Sequence, residues 1–221
     1  MVLACFFKRE VSVIKGDKSF SLFEKIYQDY VSQIRKIDLK DFAKKAGVKW
    51  DGNNLIIPLF SKPFYVSKDG IKNSFFKRPS HMEVVVLSRY IISYPEKEVK
   101  EGEWCHYRDF KDSKPLLDSF YNNVEKKIAD AFKGRKALLE KSCKRLNGIP
   151  YNEGWSWELS FLFHALPNIP VVLLFNDEEE GFPSECKLLF RRSVERYLDM
   201  ESVAILGMIL TEYLLSLQES L

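Results

Sequence analysis

Apolar residues recur at helical spacing through 20–37, where Leu22, Phe23, Ile26, Tyr27, Tyr30, Val31 and Ile34 fall along one stripe. Asp38 stands where an N-cap belongs and Gly47 where a helix would end, so a short second helix is predicted between them. The pattern then changes. Runs 55–60 and 64–66 read as strands, and Pro58 puts the first at a sheet edge or a bulge. Asp69-Gly70 is a turn signal leading into 71–76, so this region is predicted to be a small antiparallel meander.

Ser80 followed by Glu83 has the form of a capping box. The β-branched run Val84-Val85-Val86 leaves helix and strand both open for 84–92, with Arg89-Tyr90 favouring helix. The charged stretch 95–102 reads as a loop. Pro115 opens a predicted helix to about residue 132, with Leu116, Leu117, Phe120, Val124 and Ile128 on one side. A further helix over 136–146 ends at Asn147-Gly148.

Residues 157–175 read as two apolar strands joined by Leu166-Pro167-Asn168-Ile169-Pro170, with an acidic turn and a third apolar run, 186–190, behind them. Asp199 is placed to cap the last helix. Its apolar run 203–217 contains Glu212 and falls short of the ~20 residues a membrane span needs, so a buried central helix is expected, with no membrane partner. The whole predicts one α+β domain over 1–221: an antiparallel sheet built from a central meander and a C-terminal hairpin, packed by several helices. Residues 1–47 are expected to form a helical N-terminal part.

Composition changes this picture little. With 46% hydrophobic residues and 17 phenylalanines, the chain can bury a large aromatic core. The 34 basic and 31 acidic residues nearly balance, so charge alone does not point to nucleic acid. Cys5, Cys105, Cys143 and Cys186 are far apart with no C-x-x-C pair, which removes zinc-ribbon and iron–sulfur ligand sets. The apolar start, 1–7, runs straight into Lys8-Arg9-Glu10, unlike a signal peptide, and a cytoplasmic protein is expected.

Candidate chemistry is sparse. Asp177, Glu178, Glu179 and Glu180 could offer oxygen ligands to a hard cation, or form a solvated turn; four consecutive side chains cannot all converge from an extended segment. His81, His106 and His164 make no short metal signature, and no metal or cofactor is expected. A Cys105 or Cys186 thiol with His164 is a conceivable nucleophile pair, though free buried thiols and a structural imidazole are the plainer readings. Trp155 and Trp157, in a loop marked by Gly148, Pro150 and Gly154, could stack on a flat ligand or cap the core. An antiparallel hairpin brings the start of its first strand beside the end of its second, which would gather Trp155, Trp157 and the carboxylates into one ligand-binding neighbourhood. A small ligand or a protein are the partners this leaves open.

Several short motifs occur in a recognisable order. Leu87-Ser88-Arg89-Tyr90 is followed by Gly102-Glu103-Trp104, Tyr107-Arg108-Asp109-Phe110 and Pro115-Leu116-Leu117, then by Leu166-Pro167, Phe182-Pro183 and Tyr197-Leu198. From 38 to 214 the chain resembles the domain of unknown function 3786 family. The resemblance implies a cytosolic accessory or binding protein of an anaerobic organism, and a link to anaerobic iron–sulfur or corrinoid metabolism is the function expected. A carboxylate-dependent metalloenzyme and a single-stranded nucleic-acid binder are the alternatives. Where relatives carry Asp after a glycine and after Leu-Phe, this chain has Trp155 and Arg191, so part of any carboxylate set is missing.

Overall fold

A computed structural model describes residues 18–218. The apolar start of the chain, its basic Lys8-Arg9 and Cys5 lie outside the described residues. Helix α1 (Lys18–Ile34) buries Val31 and Ile34 and leaves Leu22 exposed. Helix α2 (Leu39–Ala46) has both expected caps. Asp38 accepts the N–H groups of Lys40 and Asp41, and Gly47 ends the helix at φ 66°, a conformation that costs a residue without Cβ little.

Strands β1 (Lys49–Trp50), β2 (Leu55–Leu59), β3 (Lys62–Ser67) and β4 (Gly70–Lys72) form the expected meander, an antiparallel sheet in chain order, except that its last strand stops at Lys72 and 73–76 form a loop closed on Asn73 instead of running on as strand. Leu55, Ile57 and Leu59 face the core while Pro58 faces out. Pro58 lies opposite Pro63, and two facing prolines can only be a non-hydrogen-bonded pair. The missing N–H groups therefore cost the ladder nothing. The turn between β2 and β3 is unexpected: Phe60 and Ser61 both take positive φ, 46° and 65°, without a glycine or asparagine. Tertiary bonding supports it. Phe60 is buried, and its N–H donates to the carbonyl of Ala165 in the other sheet at 2.9 Å.

Residues 84–92 resolve as helix α3 (His81–Ile92), with the Ser80–Glu83 capping box complete. Trp104–His106 adds β5, Ile149–Pro150 adds β6, and the hairpin is β7 (Leu159–Leu166) and β8 (Ile169–Asn176), with β9 (Glu185–Arg191) after the acidic turn. These five strands form a second antiparallel sheet in the order β5-β9-β8-β7-β6. Meander and hairpin thus belong to separate sheets, and the short edge strands β5 and β6 carried no readable period.

Between the sheets' inner faces and the helices lies the main core, which includes Phe161, Phe163, Phe175, Leu188 and Phe190. The last helix, α7 (Met200–Gln218), runs through it with Val203, Leu206, Leu210 and Leu214 fully buried. Asp199 caps it, accepting the Ser202 N–H at 2.8 Å while pairing with Arg89. By length and composition this helix could cross a membrane, yet most of it is covered by the protein itself. The strands' alternation puts Val172, Leu174 and Leu189 on the second sheet's outer face, where a smaller apolar cluster forms.

Candidate functional site

The predicted helix over 115–132 is helical throughout but not uniformly α. It comprises a 3-10 stretch (Lys111–Leu116), α4 (Leu117–Phe120), one π turn (Tyr121–Glu125) and α5 (Lys126–Phe132). The π turn widens the helix locally and shifts which face looks inward. Ile128, Ala129 and Phe132 are buried on α5, and Glu125 lies on the same stripe, only 8% exposed. A carboxylate on an apolar stripe is the signal in the sequence that would have revealed this site.

Glu125 meets the second sheet where its edge opens. Strand β5 pairs with β9 only at Leu189, Phe190 and Arg191, so the backbone of Leu188 lacks a strand neighbour on that side. Its N–H donates to Glu125 Oε1 at 3.2 Å. Lys187 Nζ lies 3.3 Å from Glu125 Oε2 and 3.3 Å from Glu185, with its charge above the Tyr121 ring at 5.6 Å. Burial raises the pKa of Glu125, and Lys187 and the Leu188 N–H offset this only in part. Lys187 is held above its ordinary value, because two carboxylates outweigh its own burial. An open cleft of about 220 Å³ lies over this pair. Leu117, Tyr107 and Phe120 supply apolar lining, the last two stacked at 4.1 Å, and His106, Arg108, Asp118 and Tyr121 supply polar groups.

The residues singled out in the sequence are elsewhere. Trp155 and Trp157 pack with Trp104 and Tyr151 over Val172, Leu174 and Leu189, covering the outer sheet face. Glu153 fastens their loop. Its carboxylate accepts the Trp104 indole N–H at 3.1 Å and the Tyr151 hydroxyl, and lies 3.5 Å from Arg191, whose guanidinium stacks on Trp104. Arg191 thus has carboxylate partners supplied by Glu153 and Glu101.

Asp177 turns the other way, toward the connection between α5 and α6 (Lys136–Arg145). It accepts the N–H groups of Gly134 at 2.7 Å and Lys136 at 3.1 Å, capping a helix that has no cap of its own. Burial opposes its charge, but these bonds and that from Glu178 N–H hold its pKa below the ordinary range. Glu178 pairs with Lys133 at 2.8 Å, while Glu179 and Glu180 are exposed in a turn closed by paired Glu179 and Phe182. The hairpin ends do come together: Leu159 pairs with Phe175, and Glu158 accepts the Asp177 N–H at 3.0 Å. Their side chains nevertheless diverge, the tryptophans to the outer face and Asp177 to the helical side. Asp177→Ala should therefore lower stability by about 1–2 kcal/mol through the lost cap, with no metal needed to see it. Equal denaturation midpoints for variant and parent would show the cap to be dispensable.

Among the described residues, no group of three or more His, Cys, Asp or Glu side chains is arranged to hold a metal ion. Cys186 is buried, and burial drives its thiol well above the ordinary range; Cys105 is raised for the same reason. Neither is an activated nucleophile. His164 is exposed.

Comparison with curated proteins found no match, and comparison with solved structures found none. The family model for a domain of unknown function, DUF3786, matches residues 38–213, which takes in both sheets, the π turn and the greater part of the last helix, and the chain belongs to that family.

Proposed function

We propose that this is an accessory protein that binds a small polar ligand in the cleft beside the π turn. The observation that carries the reading is the placement of a buried carboxylate, paired with an ammonium, at an open cleft that also presents Arg108 and an apolar lining. Glu125 suits a donor such as an amine, Arg108 suits an anionic group, and the Tyr107–Phe120 side suits a short apolar body. A compact zwitterion of amino-acid size meets all three requirements. Work in the cytosol of an anaerobic organism is the setting that the family resemblance implies, and a link to iron–sulfur or corrinoid metabolism is part of this proposal.

The test is a melting-temperature screen of free amino acids and related zwitterions. A ligand at a hundredfold excess over its Kd adds about 2.7 kcal/mol to stability, enough for a clear shift. The shift should vanish in Arg108→Ala and fall sharply in Glu125→Gln. Hits that bind both variants as well as the parent protein would place the ligand elsewhere.

A further inference from the structure

The loop after β4 exposes two adjacent phenylalanines. Phe75 is 79% exposed and Phe76 65%, whereas most other phenylalanines among the described residues are buried, Phe182 at 74% excepted. Phe76 holds a positive φ of 56°, which a bulky residue adopts only at a cost. The loop is nonetheless closed on itself. Asn73 Oδ1 accepts the N–H groups of Phe75 at 3.0 Å and Lys77 at 3.1 Å. The Asn73 carbonyl accepts the Phe76 N–H, and the Asn73 N–H donates to the Lys77 carbonyl. Every backbone N–H from Phe75 to Lys77 thus has its partner inside the loop, so these three donors stay satisfied when the phenylalanines leave water.

The surroundings of the tip are basic. Residues 68–78 contain Lys68, Lys72, Lys77 and Arg78 against one acid, Asp69. Arg78 is engaged, bonded to Glu24 at 2.6 Å and stacked on Tyr27, and so anchors the loop to α1. Lys72 and Lys77 are exposed and stand in no ion pair among the described residues. Lys72 ends a row of cross-strand neighbours, Lys49, Ile56 and Tyr65, on the outward face of the first sheet, and Phe76 stacks on Tyr65 at 5.2 Å.

We infer that this tip docks the protein on an anionic lipid surface, with Phe75 and Phe76 entering the acyl boundary and Lys72 and Lys77 meeting the headgroup phosphates. Charge complementarity selects the occupant: apolar rings at the tip, unpaired ammonium groups behind it. A single-stranded nucleic acid would need open ring faces along a groove, and here Tyr65 and Phe76 cover one another. A reading of span-length apolar runs misses such a contact, because two phenylalanines in a turn leave no mark on a span-length hydropathy window. None of the cleft residues takes part, so this inference is independent of the ligand proposed there.

Co-sedimentation of the full chain with vesicles tests it. Binding is expected to vesicles holding about 30 mol% phosphatidylserine, to weaken as salt rises, and to be absent with neutral phosphatidylcholine. Phe75→Ser should weaken binding on the order of tenfold. Lys72→Glu with Lys77→Glu should do so by about fivefold per site or more. Phe75→Ser, at a mostly exposed position, keeps its melting temperature and keeps the test valid should Phe76→Ser loosen the loop. No binding to the anionic vesicles, or equal binding by Phe75→Ser, overturns the inference. So does tighter binding to an oligothymidylate that is lost in the same variants.

Discussion

Leu206→Ala should destabilise the protein by about 2–5 kcal/mol, a large part of the stability a domain of this size holds. Leu206 has no exposed surface and sits midway along α7, among Val203, Ile205, Ile209 and Leu210, which are themselves buried. The helix has little room to close a cavity. At the next position, a Cβ on Gly207 would already stand 3.0 Å from the Phe120 ring and 3.2 Å from Val124. That close approach ties α7 to the π-turn helix, so a loss at Leu206 should also loosen the cleft. Urea denaturation measures the effect, and the expected fall in melting temperature is roughly 4–20 °C. Leu215→Ala, at a half-buried position in the same helix, should cost distinctly less. An unchanged midpoint for Leu206→Ala would mean that α7 is peripheral to the fold.

The legible parts of the fold are those set by local chemistry. Asp38, Gly47, Ser80, Glu83 and Asp199 all cap helices as their positions in the chain suggest, because capping acts within one turn. The hairpin follows from alternation and turn residues, and the meander from alternation and the Asp69-Gly70 turn. What escaped the sequence depends on distant partners. Phe60 turns with positive φ because Ala165 holds its N–H, and Asp177 caps a helix that begins forty-one residues before it. The residues of the candidate site part company for a related reason. Trp155 and Asp177 are near in the hairpin register, but register fixes backbone proximity and leaves the choice of face to each side chain's partners. The Glu125 cleft had a trace, a carboxylate among Ile128, Ala129 and Phe132, which an assumed uninterrupted α-helix obscured.

Glu125 gives the sharpest test of that cleft. Glu125→Ala leaves the Leu188 N–H without its acceptor and the half-buried Lys187 with Glu185 alone, and should cost on the order of 2–4 kcal/mol at pH 7. Glu125→Gln keeps an oxygen for Leu188 and removes the buried charge, so it should fold nearly as well as the parent. The two proteins then separate with pH. Burial raises the folded-state pKa of Glu125 above the ordinary glutamate value of about 4.3, so the folded protein holds this proton more tightly than the unfolded chain. Its stabilising contribution is fully present below that ordinary value and is lost as pH rises through the folded pKa. Asp177 and Asp199 have lowered pKa values and slope the other way, losing stability as pH falls through their folded values. Subtracting the Glu125→Gln curve cancels those two and isolates Glu125. Relative to the parent, Glu125→Gln should therefore gain stability from about pH 4 upward and level off above the folded pKa. Parallel curves across that window would show a carboxylate that ionises as freely as one in water, and the cleft would lose the buried charge on which its ligand is proposed to depend.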